Sequence, residues 1–264
     1  MNKQEITKLL AEKKKRDTLK EYSQDFAKFA EEQIQIITKD ASQGFVPFKL
    51  NKCQKIITDA LKKQLEDTGK VRAIILKARQ QGITYFTAYA RSVVMAHDSA
   101  TSDALFAMSK NLIRNMSGEL SPTEIRSNAK EIIINSPSMP DKDGPEAGRG
   151  TTPTIAHLSE VAFWQHDEKI LAGLFQGISQ AKGTEVIVES TANGSQGEFY
   201  RLWKGAVAGE NEYVPIFLPW YITDEYRREA PEGMELTTEE EILQEKYGLD
   251  NDQLYWRRLK IADS

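Results

Sequence analysis

Three short stretches carry residue types suited to phosphate chemistry. The first is "KARQQGIT", Lys77 to Thr84, which follows the apolar run "VRAIIL" and precedes a helix-like segment. A phosphate-binding loop works through backbone N–H groups at a helix N-terminus, a cation that neutralises the phosphates and a hydroxyl that holds Mg²⁺. Gly82 permits the close turn and Thr84 supplies the hydroxyl, while Ile83 stands where the usual pattern has its lysine. The charge could come from Lys77 or Arg79, at the start of the loop instead of its end. An ordinary strand-to-helix turn would share this pattern. The second stretch, "TIAHLSE", is an apolar strand ending in an acid, Glu160, placed to activate a water. The third, "VIVESTANG", is an apolar strand with a polar tip, Ser190, Thr191 and Asn193. Polar side chains at the C-terminal ends of strands lie where open α/β sheets bind ligands. Loop, acid and polar tip, in that order, are hard to obtain by chance.

Such residues need a scaffold that brings three strand ends to one edge. From Leu50 the pattern alternates: "LNKCQKIITDALKKQL" reads as a helix, "VRAIIL" as a buried strand, "TYFTAYAR" as a short helix and "SVVMA" as a strand. Then "SDALFAMSKNLIRNM" reads as a helix, "EIII", "TIAHL" and "EVIVES" as strands, and the region around "EKILAGLFQGI" as a helix. Strands alternating with helices predict an α/β layer fold with a mainly parallel sheet. "NSPSMPDKDGPEAGRG", rich in proline and glycine, is a loop. Ahead of this core lies a polar arm with the basic run "KKKR". Its residues Leu19, Tyr22, Phe26, Phe29 and Ala30 recur at helical spacing, with Ile37 continuing roughly on that face. The stripe predicts an arm docked on the core, with a DNA-contacting basic arm as the alternative. After the strand-like "YVPIFLPW", Glu239 to Lys260 is helical, charged and poor in core residues, as a lid or linker would be.

The bulk properties narrow the classes. With 264 residues and 40% hydrophobic composition, the chain can bury one sizeable core. A formal charge of −4 argues against coating nucleic acid through bulk charge, though not against touching a phosphate backbone at a few places. Cys53 is the only cysteine, so no internal disulfide forms, and with no secretory signal a reducing, intracellular setting is expected. No apolar run approaches the ~20 residues of a membrane span. His97, His157 and His166 are scattered, which argues against a structural zinc site.

Taken together, the stretches "VPFKLNKCQ", "KARQQGIT", "RSNAKEI", "EAGRG", "HLSEVAFW", "ESTANG", "YRLWKGA" and "VPIFLPWY" occur in an order that resembles a known family. Over roughly residues 45–260 the chain is similar to the ATPase half of the large terminase subunit, the DNA-packaging motor of tailed bacteriophages. The resemblance implies a P-loop NTPase of the ASCE type, with a helical arm over residues 1–44, an ATPase core over 45–222 and a lid or linker over 223–264. "KARQQGIT" becomes a deviant Walker A motif. Lys77 or Arg79 would neutralise phosphate, Gly82 would shape the loop with Gln80, Gln81 and Ile83, and Thr84 would ligate Mg²⁺. Gln54 would read adenine, and Glu160 would be the catalytic base, with Glu189 the alternative. Ser190, Thr191, Ala192 and Asn193 resemble the coupling motif. Arg149 would be an arginine finger reaching a neighbouring subunit, although a glycine-flanked loop arginine is also compatible with plain solvation.

The implied cofactors are ATP and Mg²⁺. The implied partners are double-stranded DNA, bound without sequence preference, the portal protein and the small terminase subunit. The chain would be a monomer in solution and a ring when docked, in the bacterial cytoplasm and transiently at the procapsid portal. Arg227, Arg228, Arg257 and Arg258 are candidate DNA contacts. Three departures from the family pattern stand out. Ser159 replaces the usual Mg²⁺-holding aspartate, so the metal would rest on Thr84, phosphate and waters. Only Ile83 to Ser92 separates the loop from "VVMA", which implies a stunted helix or a different strand pairing. The loop from Asn135 to Gly150 takes the place of a strand. The family's RNase H-like nuclease domain has no counterpart here, so DNA cleavage by this chain is not expected. The rival readings are a helicase-like translocase and a non-hydrolysing module, or prophage remnant, that keeps the fold and docks on DNA or portal.

Overall fold

Asp25 divides the N-terminal arm into two helices. The computed structural model describes residues 2–37, 44–79, 81, 92–96, 99–116, 123–127, 132–135, 154–165 and 167–263. Helix α1 (Lys3–Gln24) opens with a capping box between Asn2 and Glu5. It stops where the Asp25 side chain turns to accept from the Lys28 N–H and cap α2 (Phe26–Gln33). The predicted stripe docks: Ala30 and Ile34 are buried with Phe48, Leu50 and Leu112, and Phe26 and Phe29 pack against them. The helical face does not extend to Ile37. The chain leaves the helix at Ile34 and forms β1 (Gln35–Ile37), paired antiparallel with β2 (Phe45–Pro47).

Helix α3 (Lys52–Thr68) starts at a second capping box, Asn51 with Gln54, and ends at Gly69, whose φ of 77° is one that glycine adopts without strain. Strand β3 (Val71–Lys77) follows, then β4 (Ser92–Met95) and α4 (Ser99–Arg114). The antiparallel pair β5 (Thr123–Ser127) and β6 (Ile132–Asn135) stands apart from the main sheet. "EIII" was expected among the parallel strands; β6 instead belongs to this separate ribbon. Strand β7 (Ile155–Ser159), α5 (Asp167–Gly177), β8 (Glu185–Ser190), α6 (Gly197–Ala208) and β9 (Val214–Leu218) complete the layered core. Helices α7 (Thr238–Tyr247) and α8 (Asn251–Ala262) close the chain.

The main sheet has five strands in the order β4-β7-β8-β3-β9, and every neighbouring pair is parallel. Because successive side chains on a strand face opposite ways, β3 feeds two cores. Ala73 and Ile75 pack with Cys53, Ile57 and Leu61 of α3, whereas Ile74 packs with Val188, Leu171 of α5 and Phe199 of α6. A strand covered on both faces reads as an unbroken apolar run. β4 pairs with β7 at the far edge, so "VVMA" does take a parallel place. Three strand spacings of ~4.8 Å separate it from β3, within reach of the connecting residues at ~3.3 Å each. The expected helix "TYFTAYAR" and the residues after Asn135 in the proline-rich loop lie outside the described residues.

The C-terminal helices are docked more firmly than their composition suggests. Trp256 of α8 stacks between Trp220 and Tyr226, with ring centroids 5.1 and 4.7 Å away, and Leu249 and Leu254 are buried. Among the described residues, no helix is long and apolar enough to cross a membrane.

Candidate functional site

Parallel strands end at one edge, and register decides what meets there. Ile75, Glu189 and Ser159 share one row across β3, β8 and β7. Leu76 and Ser190 share the next. Lys77 and Glu160 follow directly after Leu76 and Ser159, so the lysine and the acid flank the tip of β8.

Lys77 Nζ donates to Glu160 Oε1 at 2.6 Å and lies 3.1 Å from Glu189 Oε2. Its side chain is only 9% exposed. Burial alone would lower the lysine's pKa, but the charges of Glu189 and Glu160 outweigh that penalty and raise it. The ammonium is therefore held charged between two acids.

Glu160 is the one non-glycine with positive φ among the described residues, at φ 55° and ψ 39°. A left-handed backbone costs a side-chain-bearing residue ~1–3 kcal/mol and persists where surrounding contacts fix it. Here Oε2 accepts from Thr191 N–H at 3.2 Å, Thr191 Oγ1 at 3.3 Å and Ser190 Oγ at 3.4 Å. The backbone carbonyl of Glu160 accepts from Phe163 N–H in the 3-10 turn that follows. The turn aims the carboxylate across the tip of β8.

Glu189 lies deeper, 1% exposed. It accepts from Ser159 Oγ at 2.5 Å, and His157 Nε2 is 3.6 Å from Oε1. Burial pushes its pKa upward, but His157, Lys77 and Ser159 reverse this and hold it below the ordinary value. Ser159 thus engages a carboxylate from the neighbouring strand.

The polar tip of β8 also grips the turn after β7. Ser190 Oγ accepts from Ala162 N–H at 3.2 Å, and Asn193 Nδ2 donates to the Ala162 carbonyl at 2.9 Å. Ser190, Thr191 and Asn193 are therefore brought together with Glu160, and Ala192 is exposed beside them.

Gln54 lies in the first turn of α3. It is buried at 3% exposure, and Oε1 closes the α3 capping box by accepting from Asn51 N–H at 2.9 Å. Asn51 Nδ2 in turn donates to the Gln81 carbonyl at 3.2 Å, tying the helix start to the loop after β3. Gln81 is also buried: Oε1 accepts from Ala78 N–H, and Nε2 donates to the Pro219 carbonyl and Thr223 Oγ1. Arg79 is exposed, and its carbonyl accepts from the Tyr226 hydroxyl. Gln80, Gly82, Ile83, Thr84 and Arg149 lie outside the described residues. Among the described residues, no group of three or more His, Cys, Asp or Glu is arranged to hold a metal ion.

Sequence reasoning treated Glu189 only as an alternative base and gave His157 no part in the site. A signal was present: His157, Ser159 and Glu189 interrupt strands that are otherwise apolar, and buried polar groups need partners. Thr223 and Tyr226, which hold the loop from the C-terminal side, had no comparable signal. No protein-family model matches the chain, and no curated protein matches it.

Proposed function

We propose that the chain is the ATPase motor domain of a large-terminase-like protein, coupling ATP hydrolysis to translocation of double-stranded DNA. The observation that carries this reading is the meeting of Lys77 and Glu160 at the C-terminal edge of the parallel sheet. They come from strands separated by one other strand, β8, whose tip holds the acid. In this reading the Lys77–Glu160 contact opens, and Lys77, still beside Glu189, meets the phosphates. Glu160, relieved of its counter-ion, orients a water in line with the γ-phosphate. Phosphoryl transfer needs charge stabilisation and positioning from the protein rather than covalent chemistry. Mg²⁺ would be held by Thr84, phosphate oxygens and waters. Ser190 and Thr191, bonded to the same carboxylate, would transmit its movement along β8.

The second reading, a non-hydrolysing docking module, is favoured by one observation: Lys77 is already engaged by two acids. ATP turnover, measured alone and with duplex DNA and portal protein, separates them. Turnover that Glu160→Gln abolishes supports the motor; no turnover under any of these conditions overturns it. The proposed partners remain the portal, the small terminase subunit and duplex DNA, at the portal of a procapsid in a bacterial cell. Three of the four candidate DNA-contacting arginines are tied to acids: Arg227 to Asp250, Arg257 to Glu239 and Arg258 to Glu240. Arg228, exposed, is the better candidate.

A further inference from the structure

We propose that Glu189 is a positioning residue for Lys77, a fixed counter-ion held on β8 in the same row as Ser159. The inference deepens the reading of the site as a phosphate-handling centre, but its central observation is independent of nucleotide.

The argument begins with register. Ser159 and Glu189 are direct cross-strand partners, so their side chains leave the same face of the sheet. Their oxygens meet at 2.5 Å. A carboxylate on either strand at this row would serve the same volume, and the chain places it on β8, one strand nearer to Lys77.

Burial then separates the two acids. The Glu160 side chain is 24% exposed and has three donors besides Lys77. The Glu189 side chain is 2% exposed, and an ionised carboxylate at such depth must be compensated in place. The charged and polar groups that face it are Lys77 from β3, His157 and Ser159 from β7, with Glu160 beyond Lys77. Lys77 lies at 3.1 Å, off the axis of a good hydrogen bond, so charge rather than directionality joins the pair.

A division of labour follows. When Glu160 turns toward a reacting water, the Lys77–Glu189 pair left behind is neutral and can stay at the edge. Without Glu189, Glu160 would be the lysine's only acid among the described residues and would be held to it. Glu189 thus fixes the cation, and its presence leaves Glu160 able to move.

The test reads Lys77 directly in the full chain. The rate of acylation of its amine by an N-hydroxysuccinimide ester is followed by peptide mass spectrometry across pH, with all variants first checked by thermal melting. Glu189→Gln is expected to raise Lys77 acylation at alkaline pH by about tenfold, because loss of the neighbouring charge lowers the lysine's pKa. Ser159→Asp combined with Glu189→Gln, which restores a carboxylate to the same row, should return the profile toward that of the unmodified chain. Glu160→Gln should change it less than Glu189→Gln does. If Glu160→Gln frees the lysine and Glu189→Gln does not, the proposal is overturned while the ATPase reading stands. Should Glu189→Gln fail to fold, Glu160→Gln decides alone: protection retained supports the proposal, and protection lost sinks it. Loss of ATP turnover in the unmodified chain would leave these outcomes unaffected.

Discussion

Lys77 Nζ and Glu160 Oε1 meet 2.6 Å apart across 83 residues of chain, joining the candidate phosphate cation to the candidate base. Each is the other's counter-ion, and a change to one alters the other. This sets what mutation of the edge will do.

Lys77→Ala is expected to do two things at once. It removes the cation proposed for the phosphates, so ATP turnover should be lost. It also leaves Glu189 buried without its ammonium, which should cost ~3–5 kcal/mol. Arg79→Ala, at an exposed position, should change stability by no more than ~0.5 kcal/mol. Urea denaturation and steady-state ATP turnover on both variants check the contrast, and equal stability losses would refute it.

Glu160→Gln keeps the side-chain size and removes the charge. ATP and Mg²⁺ binding should survive while hydrolysis falls by at least ~10²-fold, the lower range for loss of a general base. Single-turnover kinetics with nucleotide-binding titrations distinguish this from a binding defect. If Glu189→Gln abolishes hydrolysis while Glu160→Gln turns over normally, the base has been misassigned.

The pH dependence of stability has a definite sign. Glu189 titrates below its ordinary value of 4.5, so its contribution is full above that pH and is lost as pH falls through the folded value. Lys77 titrates above 10.5, so its contribution is full below that pH and is lost as pH rises through the folded value. Urea midpoints recorded between pH 3 and 7 should show a shallower acid limb in Glu189→Gln than in the unmodified chain. Parallel limbs would contradict the assignment.

The C-terminal helices carry their own acid-sensitive joint. Arg258 and the Thr237 N-cap draw the pKa of Glu240 down to about 2, against the smaller opposing effect of burial. The contribution of this joint is present above pH 4.5 and is lost as pH falls through about 2. Glu240→Gln should destabilise by ~1.5–3 kcal/mol, the range for a hydrogen bond to a charged group. Trp256 fluorescence through a denaturant series reports it, because the tryptophan stacks where α8 docks.

If the chain grips duplex DNA, Arg228→Ala should weaken binding uniformly across sequences and reduce the salt slope by about 1. Arg227→Ala, Arg257→Ala and Arg258→Ala should do less, because those guanidinium groups are already engaged by acids. Fluorescence anisotropy at several salt concentrations ranks the four.

Strands β3, β7 and β8 were legible because sheet burial on two faces makes them apolar runs with polar ends, and those ends named Lys77, Glu160 and Ser190. Helix α3 was legible from its periodicity, which buries Cys53, Ile57 and Leu61. Pairing partners were not. "EIII" is too short for its pattern to tell a parallel core strand from one arm of an antiparallel ribbon. The break at Asp25 was hidden because apolar spacing runs on through it, and only the capping geometry shows the turn. The contact of Glu189 with Ser159 was not legible, since it depends on the row they share, a relationship between strands that neither stretch carries alone.

The sheet order sets a schedule for the newborn chain. Central strand β3 is complete at Lys77, yet its neighbours begin only at Glu185 and Val214. Translation at about 5–20 residues per second leaves the strand without either flank for on the order of ten seconds. During that interval Val71, Ala73 and Ile75, buried in the finished fold, have helix α3 beside them, while Ile74 on the opposite face waits for Leu171, Val188 and Phe199. The same arrangement that gathers the site's residues at one edge therefore makes the emerging chain a natural client for a holding chaperone, and slow, late-pairing topologies are those most exposed to aggregation.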